Sequence, residues 1–456
     1  MTELTIPKEW TKANIEDLIS EDGVFCDGDW IETEDQNPKG DVRLIQLADI
    51  GDGYFRDRSN RFLTSRKAEE IRCTYLQKGD ILVARMPDPL GRACIFPLGS
   101  DRKYVTAVDV CIVRPNTKWL NLKYLAYLIN SPRMRVEIEA FKSGTTRKRI
   151  SRKNFGKILW PISPTSEQNK IAELIEELFS DLDNAIENLK KAKEQVRVYR
   201  QAVLKYAFDG TLNRTKSSSN KWMRKTIGEI CITGSGGTPS RSNLKYFTGN
   251  IPWVKSGELD FNVIYDTEEK ITQEALNNSS AKLVKKGTLL IALYGATVGK
   301  MAFLGIDAAT NQAVCFIETP KYLIAKFLYY FLVLNRDILL GQRIGGAQPN
   351  ISQTIIKNTL CPIPSVEEQD TIIKFIESCF SVCDKLEETI ENSLKQAESL
   401  RQSILKQAFE GKLTEQWRKE HKDLISGENS AESLLKNIKA EKEALQVKPK
   451  GKKKHG

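Results

Sequence analysis

From Ile171 onward, apolar positions recur at alternating intervals of four and three residues: Ile171, Ile175, Leu178, Leu182, Ala185, Leu189, Ala192, Val196, Tyr199 and Val203. This is the spacing of a helix that buries one stripe along a partner helix. A second run has the same pattern: Ile372, Ile376, Cys379, Cys383, Leu386, Ile390, Ser393, Ala397, Leu400 and Ile404. A Glu-Gln pair shortly after Pro164 or Pro364 predicts each helix start, with Ser166 and Ser365 as caps, and Gly210 and Gly411 predict the ends. Residues 171–203 span about 48 Å as a helix. Neither helix can bury its stripe alone, so the two are expected to pair antiparallel. The small residues Ala185, Ala192, Ser393 and Ala397 permit close approach.

The two runs are copies. Ile150-Ser151 recurs 201 positions later as Ile351-Ser352, and the same shift carries Glu167-Gln168 onto Glu368-Gln369 and Ala207-Phe208 onto Ala408-Phe409. The stretches between them also repeat, but with changing offsets: Trp10 matches Trp222, Gly79 and Gly91 match Gly287 and Gly299, and Tyr127 matches Tyr330. Loops accept insertions that a packed helix does not. Each globular stretch has short β-like runs, among them 80–84 and 289–292, a Gly-containing turn after each, and an apolar helix around Tyr124 or Phe327. The expected fold class is α+β (mixed α/β): two tandem globular domains alternating with two long helices paired as an antiparallel coiled coil. The boundaries read as 1–163, 164–212, 213–363, 364–413 and a basic C-terminal tail at 414–456, with a helix expected from Ser430 to Ala444.

Composition narrows the chemistry. At 456 residues and 40% apolar content, the chain can bury real cores, and it has no apolar run of membrane-spanning length. Nine cysteines without a Cys-x-x-Cys pair fit a reducing, cytoplasmic setting, with Cys379 and Cys383 read as small seam residues. The only histidines, His421 and His455, lie beyond the second helix, so neither module holds a histidine general base. The turn Gly295–Lys300 is one residue short of a P-loop, Gly234–Pro239 is not a dinucleotide fingerprint, and no Asn/Asp-Pro-Pro-Tyr/Phe tetrapeptide of amino-methyltransferases occurs. Glu268-Glu269-Lys270 has no counterpart in the first half and reads as solvated surface. No catalytic residue, metal site or cofactor site is expected on this chain.

The net charge of +10 is concentrated. Arg147, Lys148, Arg149, Arg152, Lys153 and Lys157 crowd one loop without an acid, a pattern that attracts phosphates, and five lysines crowd 448–454. The first module also offers Arg56, Arg58, Arg85, Arg92 and Lys103; the second offers Lys255, Ser256, Tyr294, Lys300, Arg343, Gln348 and Asn350. Arginine forks suit guanine, Gln and Asn suit adenine, and lysines fix phosphates. Arg85 and Arg92 flank the first turn where Leu293 and Lys300 flank the second, so the modules should read different sequences. The partner is expected to be double-stranded DNA.

The duplicated Pro-Ile-x-x-x-x-Glu-Gln at 161–168 and 362–369 and Leu-Lys-x-Ala-Phe-x-Gly at 204–210 and 405–411, with Leu-Thr-x-x-x-Arg at 413–418, resemble the specificity subunit of type I restriction–modification systems over nearly the full length. That resemblance implies two target-recognition domains, each binding one half of a split DNA site, and a coil whose length sets the spacer. It also implies docking of two methyltransferase (modification) subunits, with restriction/translocase subunits completing the complex. S-adenosylmethionine, ATP and Mg2+ would then belong to those partners. The alternative is a non-catalytic DNA-binding coiled-coil adaptor of another bacterial defence or chromosome complex.

Overall fold

The computed structural model describes residues 6–19, 23–86, 89–99, 102–144, 148–210, 212, 222–341 and 350–446. It divides into two units, Met1–Asn188 with Ser393–Gly456, and Leu189–Asn392. Helix and strand mix in both.

The first unit holds a four-stranded antiparallel sheet in the order Val24–Asp27, Val110–Arg114, Ile81–Ala84, Ala93–Ile95. A second sheet orders Arg61–Leu63, Val42–Ile45 and Lys103–Thr106, the last two strands running parallel. The second unit repeats the plan with extra strands. Its five-stranded sheet runs Ile232–Ser235, Val314–Glu318, Leu289–Ala292, Met301–Leu304, Asn262–Ile264. Its four-stranded sheet runs Lys270–Ile271, Ile251–Val254, Ala308–Thr310, Leu283–Val284. The central strands Ile81–Ala84 and Leu289–Ala292 are buried at every position, as their uninterrupted apolar runs require.

The two long helices are Thr165–Phe208 and Val366–Phe409, each 44 residues. Each unit's core takes the beginning of one and the end of the other. In the first, Ile171, Ala172 and Ile175 pack with Ile404, Leu405, Ala408 and Phe409; in the second, Ile372, Ile373 and Ile376 pack with Val203, Leu204 and Ala207. That is why both the helix-start and the helix-end motifs are duplicated. Phe409 meets Tyr124 edge-on at 5.4 Å, and Phe208 meets Phe327 at 5.1 Å. The repeated glutamine is buried in both units and does the same work. Gln168 Oε1 accepts from Asn121 N at 2.9 Å and Gln369 Oε1 accepts from Ile324 N at 2.7 Å, fixing each long helix to the loop ahead of the short apolar helix.

The pairing is antiparallel. In the second unit, Arg200 bonds Asp384 at 2.6 Å and Lys193 bonds Glu391 at 2.8 Å, one number rising as the other falls. In the first unit the repeat equivalents, Arg401 and Asp183, form the matching ion pair. Each arginine also lies over a phenylalanine, Arg200 over Phe380 at 4.8 Å and Arg401 over Phe179 at 4.4 Å.

The seam is narrower than the sequence predicts. Ile171, Ile175, Leu182, Val196, Val203, Ile372, Ile376, Ile390 and Ile404 are buried, and Leu178 and Leu189 are half-buried. Leu386 and Leu400 are 48% and 50% exposed, and the repeat positions Ala185 and Tyr199 are exposed as well. A single helix pair covers a narrow strip, and these positions fall on its flank. Ser365 caps its helix, bonding Glu368 N at 3.2 Å while Glu368 returns a bond to Ser365 N at 3.0 Å. Ser166 does not cap: Pro164 stands at the position equivalent to Ser365, and Thr165 already opens the helix.

The segment after Gly411 is part of the first unit and not an appended tail. Helix Ala431–Gln446, close to the expected span, buries Leu434 and Ile438 in the first core. The lysines at 448–454 lie outside the described residues. No described helix is long and apolar enough to cross a membrane. Among the described residues, no group of His, Cys, Asp and Glu could hold a metal ion.

Candidate nucleic-acid interface

In the first unit, strand pairing gathers most of the sequence-predicted cations at one end. Asp27 lies opposite Cys111, Ala84 opposite Val110 and Val83 opposite Ala93, so the loops following Asp27 and Ala84 and those preceding Ala93 and Val110 emerge together. The parallel pair ends there too, Ile45 beside Thr106. Gly53 N bonds Ala93 O at 3.0 Å and Ile150 N bonds Arg85 O at 3.1 Å, which brings the 51–59 loop and the basic loop to the turn. Lys103 is the exception. It pairs with Val42 at the opposite end of the same strands and rests over Tyr75 at 5.3 Å.

Buried Asp49 organises the arginine loop. Its carboxylate accepts from Gln46 N at 2.7 Å, Arg58 N at 2.7 Å and Ser59 N at 2.8 Å, while Arg43 clamps Asp57 at 2.5 Å. Arg58 is left exposed, and Arg56 lies over the exposed ring of Tyr54 at 5.5 Å. The buried Nε atoms of Arg56 and Arg92 have no hydrogen-bond partner among the described residues. Burial lowers the Arg92 pKa and nearby Arg56 lowers it further. Two neighbouring guanidinium groups whose buried Nε atoms lack acceptors suit a phosphate or a base edge.

Arg85 works inside the protein. Its Nε lies 3.1 Å from Asp27 Oδ1, Nη1 donates to Ile150 O at 3.1 Å and Nη2 to Val108 O at 2.5 Å. It therefore anchors the loop carrying Lys148, Arg149 and Arg152. Arg149 is exposed; Lys148 lies 3.6 Å from Glu139, and Arg152 donates to Phe25 O at 2.9 Å. Arg147 is outside the described residues. Replacing Arg85 with leucine, the residue at the equivalent position 293, is expected to cost about 2 kcal/mol through the lost charged hydrogen bonds. Thermal unfolding measures it, and an unchanged midpoint would show that the loop holds without this anchor.

The second unit gathers its candidates at the corresponding end. Ser235 lies opposite Cys315, Ala292 opposite Val314, Met301 opposite Ile291 and Val254 beside Thr310. Ile351 N bonds Leu293 O at 2.7 Å, the same docking as Ile150 on Arg85, and Tyr294 bridges to Asn350. Thr297 Oγ1 donates to Ser256 O at 2.7 Å, tying the turn to the 255–261 loop. Glu258 plays Asp49's part, accepting from Lys255 N at 2.6 Å and Glu268 N at 2.9 Å. Gly91 and Gly299 both sit at φ +74°, so the two turns close alike although their side chains differ. Arg343 and Gln348 lie outside the described residues.

Sequence reasoning missed Tyr54, Asp49, Thr238 and Gln312. The last two hydrogen-bond beside Tyr294, where Gln312 also bonds the phenol. The glycine turn ahead of Thr238 is a close backbone crossing: a Cβ on Gly236 would stand 1.8 Å from Thr310 O. Only that Gly-Gly-Thr stretch carried a signal.

A profile of the type I restriction modification DNA specificity domain matches residues 7–196 and 219–396. The type I restriction enzyme EcoBI specificity subunit of Escherichia coli is 30% identical over 336 residues, 67% of this chain and 69% of the relative. The EcoKI specificity subunit of Escherichia coli strain K12 is 29% identical over 356 residues, 73% of this chain and 74% of the relative. Among solved structures, a chain from work on assembly and conformational transition of the type I R-M system aligns with a TM-score of 0.69 at 17% identity, over 90% of this chain and 99% of that one. The HsdS subunit from Thermoanaerobacter tengcongensis aligns with a TM-score of 0.56 at 16% identity, with the same coverage of both. At these identities the structural likeness concerns the fold.

Proposed function

Because the chain belongs to the type I restriction modification DNA specificity family, we propose that it recognises a bipartite DNA target, one half-site for each module, and directs methyltransferase and restriction subunits to it. The observation that carries this reading is the repeated reading end: in each unit the turn after the central strand receives a second loop through one backbone bond, Ile150 to Arg85 or Ile351 to Leu293. The scaffold is shared and the side chains on it differ, which suits two half-sites of different sequence. Residues 1–163 and 213–363 are the two readers. Arg56, Arg58, Arg92, Arg149 and Arg152 are the cations proposed to meet DNA in the first, and Lys255, Tyr294, Lys300 and Asn350 the corresponding groups in the second. Lys103 is left out on grounds of position, and Arg85 because its guanidinium is already engaged by Asp27, Val108 and Ile150.

The paired helices act as spacer and as the docking surface for two methyltransferase subunits, and the half-exposed Leu386 and Leu400 belong to that surface. The chain is a non-catalytic subunit, acting in the cytoplasm. Adenine methylation from S-adenosylmethionine and ATP-dependent cleavage with Mg2+ are the work of its partners. The test is a methylated-adenine map of cellular DNA with the chain present and deleted. Loss of methylation at one split, asymmetric motif is the expected result; an unchanged map would refute the reading.

A further inference from the structure

The second reading end carries an acid for each of its prominent cations. Lys255 Nζ lies 2.7 Å from Glu268 and 3.1 Å from Glu269. Arg241 bonds Glu269 at 2.5 Å while lying over Phe247 at 4.3 Å, and Lys300 bonds Asp260 at 2.6 Å. These acids are built in. Glu268 N is held by Glu258, and Trp253 N donates to Glu269 O at 3.1 Å, which fixes the pair beside the end of strand Ile251–Val254. The hydrogen bonds raise the Lys255 pKa, and Arg241 followed by Lys255 lowers that of Glu269, so both stay charged at neutral pH. At the first reading end, Arg56, Arg58, Arg92 and Arg149 form no ion pair among the described residues, while Arg152 lies 3.6 Å from Asp27.

We propose that Glu268, Glu269 and Asp260 are specificity-determining residues of the second module: a resident counter-charge that holds Lys255, Arg241 and Lys300 until a cognate half-site displaces it. The proposal rests on the DNA-reading function above. A free cation gains from any phosphate by releasing counterions. A cation already paired with a carboxylate gains little from backbone alone, so non-cognate DNA is held weakly. Cognate base contacts supply the difference, and exposed ion pairs are weak enough to open. The first module, with Arg56, Arg58, Arg92 and Arg149 unpaired among the described residues, gives the salt-sensitive grip; the second gives discrimination with less salt dependence.

The test uses the assembled complex with two variants, Glu268→Gln combined with Glu269→Gln, and Asp260→Asn. Glu268 is 73% exposed and Asp260 71%, and glutamine keeps the size and an acceptor oxygen at Glu269, which is 27% exposed, so Asp260→Asn tests the idea where burial plays little part. Binding is measured across a salt series on duplexes with the first half-site intact and the second scrambled, and on the converse. The expected result is several-fold tighter binding to the scrambled second half-site, with a log K against log salt slope steeper by about 1 for each cation released. The cognate-to-scrambled ratio should therefore fall for the second half-site and stay unchanged for duplexes scrambled in the first. Unchanged affinity and slope overturn the proposal. So does weaker cognate binding with no gain on scrambled DNA, which would make the acids acceptors for a cytosine amino group. A wild-type complex that does not distinguish cognate from scrambled DNA at all refutes the DNA-reading function itself.

Discussion

Replacing Glu167 with alanine should destabilise the first unit by about 3–5 kcal/mol, the usual cost of removing one partner from a buried ion pair. Glu167 is fully buried. Its carboxylate accepts from Trp10 Nε1 at 2.8 Å and Thr414 Oγ1 at 2.7 Å and pairs with Arg418, whose side chain is 10% exposed. One side chain thus joins the beginning of the module, the start of the long helix and the segment after the second helix. Without it, Arg418 keeps Glu9 at 3.7 Å as its ion-pair partner among the described residues, and two donors lose their acceptor. The repeat equivalent, Glu368, is a control within the same chain. It is part of a surface cap with Ser365, so its alanine variant should cost below about 1 kcal/mol. Chemical denaturation of both variants measures the difference. Equal losses would mean that the carboxylate in the first unit is no more than a cap.

That contrast marks what can be read in the sequence. The motif Pro-Ile-x-x-x-x-Glu-Gln is duplicated, and the glutamine does one job in both places, so the repeat alone located it. The glutamate does two different jobs because Thr414 and Arg418 reach it from 247 and 251 residues away. Periodicity reports which face of an element is apolar, and it placed the long helices, the buried central strands and the helix near Ser430. It does not report which strand ends share an edge. Lys103 resembles any other basic residue in the chain until the parallel pairing with Val42 sets it at the far end. Arg85 looks like a reader until its guanidinium is seen spent on Asp27, Val108 and Ile150. Glu268 and Glu269 look like solvated surface because their cations, Lys255 and Arg241, are 13 to 28 positions away. Leu386 and Leu400 fit the same four–three alternation yet stand exposed, because that spacing marks the flanks of a stripe as well as its centre.

Deleting residues 186–192 together with 387–393 should reduce methylation at the original split site about a hundredfold or more, as expected when reacting groups are misplaced by ångströms. The two deletions are related by the 201-residue repeat and remove one heptad from each helix, so both seams keep their phase. The pairs Arg200–Asp384 and Arg401–Asp183 survive, because the cut falls between them and each stays with its own module. Folding is therefore preserved and length is not: seven residues of helix measure about 10.5 Å, or about three base-pair steps. If the coil sets the spacer, any methylation that remains belongs at a motif with the same half-sites and about three fewer base pairs between them. A methylated-adenine map of cells carrying the shortened chain reads both effects at once. Full methylation at the original spacing would refute the ruler. Deleting the heptad from one helix only is the harsher change, since it sets Arg200 and Arg401 out of step with their carboxylates, and that variant should lose helix pairing as well as activity.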